Sequence, residues 1–421
     1  MFKFLHTADI HLDSPLQKLE RYEGAPVEAL RQATRRALEN LVELAVAEQV
    51  AFVLIAGDLY DGDWKDYNTG LYFVSQMRKL REAGVAVYII AGNHDAENRI
   101  TKTLRLPEGV HFFPTDGPDT VHLVDPDVAI HGQGFAAPSV RKDLSAGYPL
   151  ADPGYFNIGM LHTCATGREG HEPYAPCKME GLLSKGYDYW ALGHVHQREI
   201  LHEDPLIVFP GNIQGRHARE TGPKGCMLVT VGDSGRAEAD FRPLHMIQWE
   251  KIEIDATDAE TGYDILDIVS NRIEELLKNN ADLPLIVRVE VLGKTRSHLE
   301  LTADFEHWIS EIRSAGIDSG NGRVWIEKVK FHTFPHPENK TDRFADGPVG
   351  ELLHYLDELQ TDPVLLKKIG EPLNDLMSKL PRELRHGSDA LCPDDPEWLS
   401  ELLHQVRPML LRCLMPGGDA R

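Results

Sequence analysis

Thiol chemistry has little to work with in this chain. Its 421 residues include five cysteines (Cys164, Cys177, Cys226, Cys392 and Cys413), scattered and never at Cys-x-x-Cys spacing. That argues against a disulfide framework and a thiolate zinc site, and fits a reducing cytoplasm. Long apolar runs are missing as well; none approaches the roughly 18 residues that a membrane-spanning helix needs. The opening stretch Met1–Asp9 reaches a carboxylate before a signal-peptide apolar core could form. Internal repeats and low-complexity tracts are absent. With 42% hydrophobic and 26% charged residues, the composition excludes a fibrous or largely disordered chain. An excess of positive charge is also lacking: 44 Lys and Arg face 66 Asp and Glu, a net charge of −22. The deficit is spread throughout, with 24 basic and 33 acidic residues in 1–244, 10 and 17 in 245–335, and 10 and 16 in 336–421. No segment is therefore a basic module that binds nucleic acid by counterion release alone. A polyanionic substrate would have to be held by local cations or by bound metal.

What the chain does have is length for two or three domains, at about 150 residues each, and 20 histidines. Near-continuous apolar segments at Phe2–Thr7, Ala51–Ala56, Val85–Ala91, Val128–Gly132, Phe156–His162 and Tyr187–Leu192 predict buried strands. Helical spacing separates the first three, around Leu30 to Ala45 and from Asp66 to Glu82. Later strands (Leu206–Phe209, Cys226–Val231, Glu238–Leu244) follow without long helices, which suggests a second, partly antiparallel sheet. Two packed sheets flanked by helices is the expected α/β architecture for residues 1–244. From 245 to 335 a smaller β-α-β-α-β unit is expected: strands Lys251–Ile254, Leu285–Leu292 and Arg323–Thr333, helices Tyr263–Leu277 and Leu299–Ala315. A linker-like Phe334–Lys340 leads into 336–421, with helical patterns at Gly350–Leu359, Pro363–Ser378 and Pro396–Leu414.

Five clusters stand at the carboxyl ends of expected strands: Asp9-Ile-His11, Gly57-Asp58-Leu-Tyr-Asp61, Gly92-Asn93-His94-Asp95, His162, and Gly193-His194-Val-His196. Ligands of open α/β sheets gather at those ends, so the clusters can converge in one cleft. In Asp-x-His and His-x-His, alternate residues of an extended chain point the same way and can grip one ion. Carboxylate, imidazole and one amide oxygen suit manganese or iron, and zinc less exclusively, with enough ligands for two ions. A carboxylate such as Asp58 can bridge two cations, and an acid such as His94 can protonate a leaving oxygen. Singly, a histidine at a strand end is more often a hydrogen-bonded structural residue, and Asn93 or Asp95 a turn or cap residue. Five clusters in order, each after a buried strand, outweigh that reading.

As a set, these motifs resemble the calcineurin-type metallophosphoesterase signature over about the first 200 residues. The resemblance implies a four-layer αββα sandwich with a dinuclear centre. The opening Phe4-Leu-His-Thr-Ala-Asp-Ile-His11 and the later Phe209-Pro-Gly-Asn-Ile-Gln-Gly-Arg216-His217 resemble SbcD-type DNA repair exonucleases. Arg219-Glu-Thr-Gly-Pro-Lys-Gly-Cys226 resembles their YhaO-like branch, as does the order of core, small α/β capping domain and helical tail. Carried over by motif, Asp9, His11, Asp58 and His196 hold one metal, and Asp58, Asn93, His162 and His194 the other, manganese being expected. His94 is the implied general acid. Asp61 departs from the pattern, because SbcD-type nucleases carry a histidine there. An ionised carboxylate cannot donate to a phosphate oxygen, so Asp61 orients His94 or a water, or marks a different substrate.

Arg216, His217, Arg219 and Lys224 form the densest cationic stretch near the last metal motif, readable as phosphate-backbone contacts or as a solvated, salt-bridged loop. Arg141, Lys142 and Arg168 are less well placed. Cys164 and Trp190 read as core residues. Leucines at helical spacing in the tail (Leu352, Leu353, Leu356, Leu359; Leu399, Leu402, Leu403, Val406) form a helical core or a docking surface. The resemblance implies that such a tail grips an SMC-like (SbcC-type) ATPase; a homodimer is a separate expectation. The expectation is a cytoplasmic, manganese-dependent phosphodiesterase acting on DNA. The alternatives are a metallophosphoesterase for a small nucleotide or cyclic nucleotide, which the acidic charge favours, and a non-catalytic repair subunit, which the intact ligand set opposes.

Overall fold

The computed structural model of the protein describes residues 1–14, 27–61, 67–97, 106–165, 175–280, 283–336 and 347–379, with scattered positions between 393 and 410. Arg168 and most of the helix expected at Pro396–Leu414 lie outside the described residues. In chain order the elements are β1 (Phe2–Thr7), α1 (Val27–Ala47), β2 (Phe52–Ala56), α2 (Tyr67–Glu82), β3 (Ala86–Ile90), α3 (Asn93–Glu97), β4 (Val110–Phe112), β5 (Asp119–Val124), β6 (Asp127–Gly132), β7 (Phe156–His162), α4 (Met179–Leu183), β8 (Tyr189–Gly193), β9 (Glu199–Glu203), β10 (Leu206–Phe209), β11 (Gly225–Val231) and β12 (Ala237–Pro243). There follow β13 (Gln248–Asp255), α5 (Gly262–Asn279), β14 (Leu285–Thr295), α6 (His298–Ala303), α7 (Phe305–Gly320), β15 (Val324–Pro335), α8 (Pro348–Thr361) and α9 (Pro363–Lys379).

Two six-stranded mixed sheets carry the first part of the chain. Their orders are β12-β11-β1-β2-β3-β4 and β5-β6-β7-β8-β10-β9. In each, a run of parallel strands is flanked by antiparallel partners: β11 and β12 in the first, β5 and β9 in the second. The parallel strands are buried on both faces, hence their continuous apolar sequences. One face of the first sheet (Leu5, Val53, Ile55, Val87, Ile89) meets Leu38, Leu41 and Ala45 of α1 and Phe73 and Met77 of α2. Its other face (Phe4, Phe52, Leu54, Tyr88) packs on Val128, Ile158, Met160, Tyr189 and Val208 of the second sheet. The far face of the second sheet (Leu161, Trp190, Leu192, Ile207) is covered by Tyr148, Tyr187 and Leu182. Four layers result, α/β/β/α, the last one thin because short helices and loops make it.

Aromatic and polar contacts lock the two sheets together. Phe4 stacks on Phe52 with centroids 5.0 Å apart and meets the Tyr189 ring edge-on at 5.2 Å. His6, fully buried, donates from Nε2 to the Leu192 carbonyl at 3.1 Å, so its Nδ1 accepts from the Tyr189 hydroxyl at 2.9 Å. Both ring nitrogens are thereby satisfied with the imidazole neutral. Burial pushes its pKa down to about 3.

The chain divides into two compact units, Met1–Lys251 with Asn280–Val287, and Ile252–Asn279 with Arg288–Arg421. The second contains helices α5 to α9 and most of the residues of the three-stranded sheet β13-β14-β15. In it α5 packs on α7, and Trp308 lies against Gly262 and Tyr263. The helix expected over Leu299–Ala315 is two helices, not one. Asp304 ends α6 and caps α7, its side chain accepting from the His307 amide, and that local bond competes with continuing the first helix. The tail has its own apolar contacts: Leu356, Leu359, Leu366 and Leu399 are buried, and α8 packs on α9. No helix among the described residues is long and apolar enough to cross a membrane.

Candidate metal centre

Backbone geometry at the strand ends builds the site. Asp9, His11, Asp58 and His194 all have positive φ (50°, 44°, 51° and 101°), a left-handed conformation that Asp and His tolerate better than most residues and that stores strain. It turns the chain sharply just past β1, β2 and β8, so the side chains face one point. Backbone bonds from Asp9 to Gly57 and from His11 to Asp58, both 3.0 Å, tie the first two loops together. Gly57 and Gly193 are required by close approach: a Cβ on Gly57 would strike the His162 ring, and one on Gly193 the Ala56 carbonyl. Buried Asp95 accepts from the amides of Leu59, Tyr60 and Gly92 at 2.9–3.1 Å and holds the β2 and β3 loops in register.

Among the described residues, donor atoms then converge in three groups: Asp9, His11 and His196; His11, Asp58 and His94; Asp58, His162 and His194. His11 and Asp58 are each shared, and every atom in a group lies within 4.8 Å of the others. Asp9 and Asp58 also accept amide bonds from His194 and His94, both at 2.9 Å. His162 Nδ1 donates to the Ala56 carbonyl at 2.9 Å, which fixes the tautomer and aims Nε2 at Asn93 Oδ1 (3.0 Å) and Asp58 Oδ2 (3.4 Å). A lone pair facing two acceptors needs a cation or a proton between them. His196 repeats the arrangement. Its Nδ1 is 2.6 Å from Glu220 Oε1, and its Nε2 is 3.2 Å from His11 Nε2 and 3.8 Å from Asp9 Oδ1. The donor set therefore fits metal, with imidazoles oriented from behind as metal-ligating histidines are.

The electrostatics agree. Burial raises the Asp9 carboxyl, while burial is overcome at Asp58 by His162, which holds it low. At His162 burial is outweighed by the facing Asp58, which pushes the pKa up to about 9. Burial, reinforced by the nearby Arg216, lowers His11 to about 3 and keeps it neutral. His94 differs from these. Its side chain is 41% exposed, and Asp61 Oδ1 lies 3.0 Å from its Nδ1, a hydrogen bond that raises its pKa.

The cationic stretch separates into two kinds. Arg216 is 15% exposed and faces inward, with Nη1 3.2 Å from Ser14 Oγ and 3.5 Å from Asp61 Oδ2. Lys224 is buried, and its Nζ donates to the His196 carbonyl at 2.8 Å, while burial lowers its pKa. His217 and Arg219 are exposed instead. They line a cleft of about 630 Å³ that also contains Asp58, His94, His194, His196 and Lys224. Arg141 and Lys142 are exposed and do not line it. Trp190 and Cys164 are buried core residues. Sequence reasoning missed Glu220, whose only signal was its place in the Arg219–Cys226 stretch.

Comparison with known proteins agrees with this architecture. The calcineurin-like phosphoesterase family matches residues 2–198, and the middle domain of metallophosphoesterase YhaO matches 249–334. The metallophosphoesterase YhaO of Bacillus subtilis (strain 168) is 35% identical over 294 residues, 69% of this chain and 71% of that protein. The DNA double-strand break repair protein Mre11 of Methanocaldococcus jannaschii is 24% identical over 272 residues, covering 61% and 70% of the two chains. Its counterpart in Methanopyrus kandleri is 24% identical over 355 residues, 77% and 70%. The chain belongs to the calcineurin-like metallophosphoesterases, in the family of YhaO. Members of that class hydrolyse phosphoesters at a dinuclear metal centre.

Proposed function

We propose that this chain is a two-metal phosphodiesterase that hydrolyses DNA phosphodiester bonds, as an exonuclease or endonuclease of DNA repair. The observation that carries the reading is the sharing of His11 and Asp58 among three converging donor groups. Asp9, His11, Asp58 and His196 hold one cation; Asp58, Asn93, His162 and His194 hold the other, with manganese suited to this donor set. Bound cations would supply positive charge to the phosphoryl oxygens and acidify a water. His94 keeps its proton because Asp61 accepts from Nδ1 at 3.0 Å, and it gives a proton to the leaving oxygen. Arg219 and His217 meet substrate phosphates along the cleft, while Arg216 and Lys224 brace the site from within.

Residues 1–244 are the nuclease domain, 245–335 a small α/β domain of the capping type, and 336–421 a helical region that docks a partner, an SMC-like ATPase of the SbcC type. Homodimer formation and a cytoplasmic setting complete the reading. Relatives named for DNA double-strand break repair support the substrate. So do the capping region and helical tail, which a small-substrate enzyme does not need. A second reading, hydrolysis of a small nucleotide or cyclic nucleotide, is favoured by the net charge of −22. The deciding experiment is a manganese-dependent assay with labelled duplex DNA, single-stranded DNA and a chromogenic phosphodiester. Turnover confined to the chromogenic substrate would remove DNA from the proposal.

A further inference from the structure

Glu220 lies 24 positions after His196 in the chain and is buried, with 5% exposure. Its Oε1 is 2.6 Å from His196 Nδ1, 3.4 Å from His217 Nε2 and 3.5 Å from Arg216 Nη2. Its Oε2 accepts from the Arg216 amide at 2.7 Å and from Asn212 Nδ2 at 3.0 Å. Both oxygens face donors, so the group is an ionised acceptor held in place. The contacts continue beyond it. Arg216 Nη1 is 3.5 Å from Asp61 Oδ2, and Asp61 Oδ1 is 3.0 Å from His94 Nδ1. One connected series, His196–Glu220–Arg216–Asp61–His94, therefore joins a donor of one group to the proton carrier.

We infer that Glu220 is a positioning residue for this site: it presents His196 Nε2 to a cation and holds Arg216 against Asp61. The inference rests on the two-metal reading above. Glu220 has two separable effects because its two partners differ. Toward His196 it fixes the ring orientation and makes Nε2 a better donor, an effect usually worth about 10–100-fold in metal affinity. Toward Arg216 it supplies the charge that keeps a guanidinium inside a cluster already containing imidazoles. A carboxylate present only to neutralise Arg216 would do the second and not the first.

The test is calorimetric titration of the purified full chain with manganese chloride alone, for wild type, Glu220→Gln and Glu220→Ala. Circular dichroism and a metal-free melting curve establish that each variant folds. Glutamine keeps an oxygen acceptor for His196 but loses the charge, so one of two cations should bind about 10-fold more weakly, with stoichiometry kept. Alanine removes the acceptor as well, and the loss should approach about 100-fold. If alanine fails to fold, glutamine alone decides. Wild-type affinity in a folded Glu220→Gln variant overturns the inference and leaves the two-metal reading intact. A wild-type chain that binds no manganese overturns the reading, and this inference with it.

Discussion

Asp61 Oδ1 lies 3.0 Å from His94 Nδ1, and the opposite oxygen of the same carboxylate accepts from Ser14 Oγ at 2.5 Å. A carboxylate held from behind by a hydroxyl and by Arg216 has little freedom to leave the histidine. Burial would raise the Asp61 carboxyl, but His11 and His94 outweigh burial and keep it ionised. Asp61 therefore faces His94 and, ionised, accepts rather than donates there.

Replacing His94 with Gln should leave metal content unchanged and slow turnover by about 10²–10⁴-fold, the range of a general acid. Asp61→Asn should cost less, because His94 remains, but it should move the alkaline limb of the rate profile to lower pH. The sign follows from the raised pKa: removing the acceptor lets His94 lose its proton sooner as pH rises. A pH–rate series on the chromogenic phosphodiester reads both effects, and an unmoved alkaline limb would separate Asp61 from proton transfer.

Asp58 should control metal stoichiometry more than any other donor, since it alone belongs to both proposed ligand sets, with donor atoms near His11 on one side and near His162 and His194 on the other. Asp58→Ala should lose at least one equivalent of metal, whereas His11→Ala should weaken one site only. Metal analysis after gel filtration checks this. Two full equivalents retained by Asp58→Ala would defeat the bridging role.

The strand-end clusters were legible because buried parallel strands advertise themselves as apolar runs, and whatever polar residue follows such a run stands at the sheet edge where ligands gather. Strands β4, β5 and β9 were not legible. β5 (Asp-Thr-Val-His-Leu-Val) and β9 (Glu-Ile-Leu-His-Glu) are partly exposed edge strands, so polar residues interrupt them and no continuous run forms. The positive φ values at Asp9, His11, Asp58 and His194 were equally hidden, because tertiary contacts rather than residue type impose them. Glu220 fell among neighbouring charges in a loop with no periodicity. Arg216 and Lys224 show the same limit from the other side: adjacency in sequence grouped them with Arg219, but burial separates them.

His6 should make stability sensitive to acid. It is buried and neutral, with a folded pKa of about 3 against an ordinary 6.5. The unfolded chain takes up a proton below pH 6.5 that the folded chain refuses until about pH 3. Stability from this group is therefore present above pH 6.5 and lost as pH falls through that window. The slope is about 1.4 kcal/mol per pH unit for one proton. Other buried histidines add to the wild-type slope, so the comparison must be with a variant. His6→Asn should lower stability at neutral pH and flatten denaturant-derived stability between pH 6.5 and 5 by about one proton. Parallel pH dependences in the two proteins would remove His6 as the cause.

The cleft cations should divide by burial. Arg219 is exposed on the cleft, while Arg216 is committed to Asp61, Ser14 and Glu220. With a net charge of −22, long-range steering repels a duplex, so DNA binding has to rely on close contacts that salt screens. Neutralising Arg219 should weaken DNA binding about equally for every sequence and flatten its salt dependence by about one unit of slope. The loss should be far smaller on a chromogenic phosphodiester, which lacks the flanking backbone phosphates that Arg219 would contact. Arg216→Ala should instead depress turnover of both substrates, because it loosens Asp61 and through it His94. Binding isotherms at several salt concentrations, run beside steady-state kinetics for each variant, separate the two behaviours. Equal losses on both substrates from Arg219→Ala would place that side chain at the reacting phosphate, as the small-nucleotide reading expects. An unchanged salt slope would make it a solvated surface residue and move the DNA path to another face of the cleft.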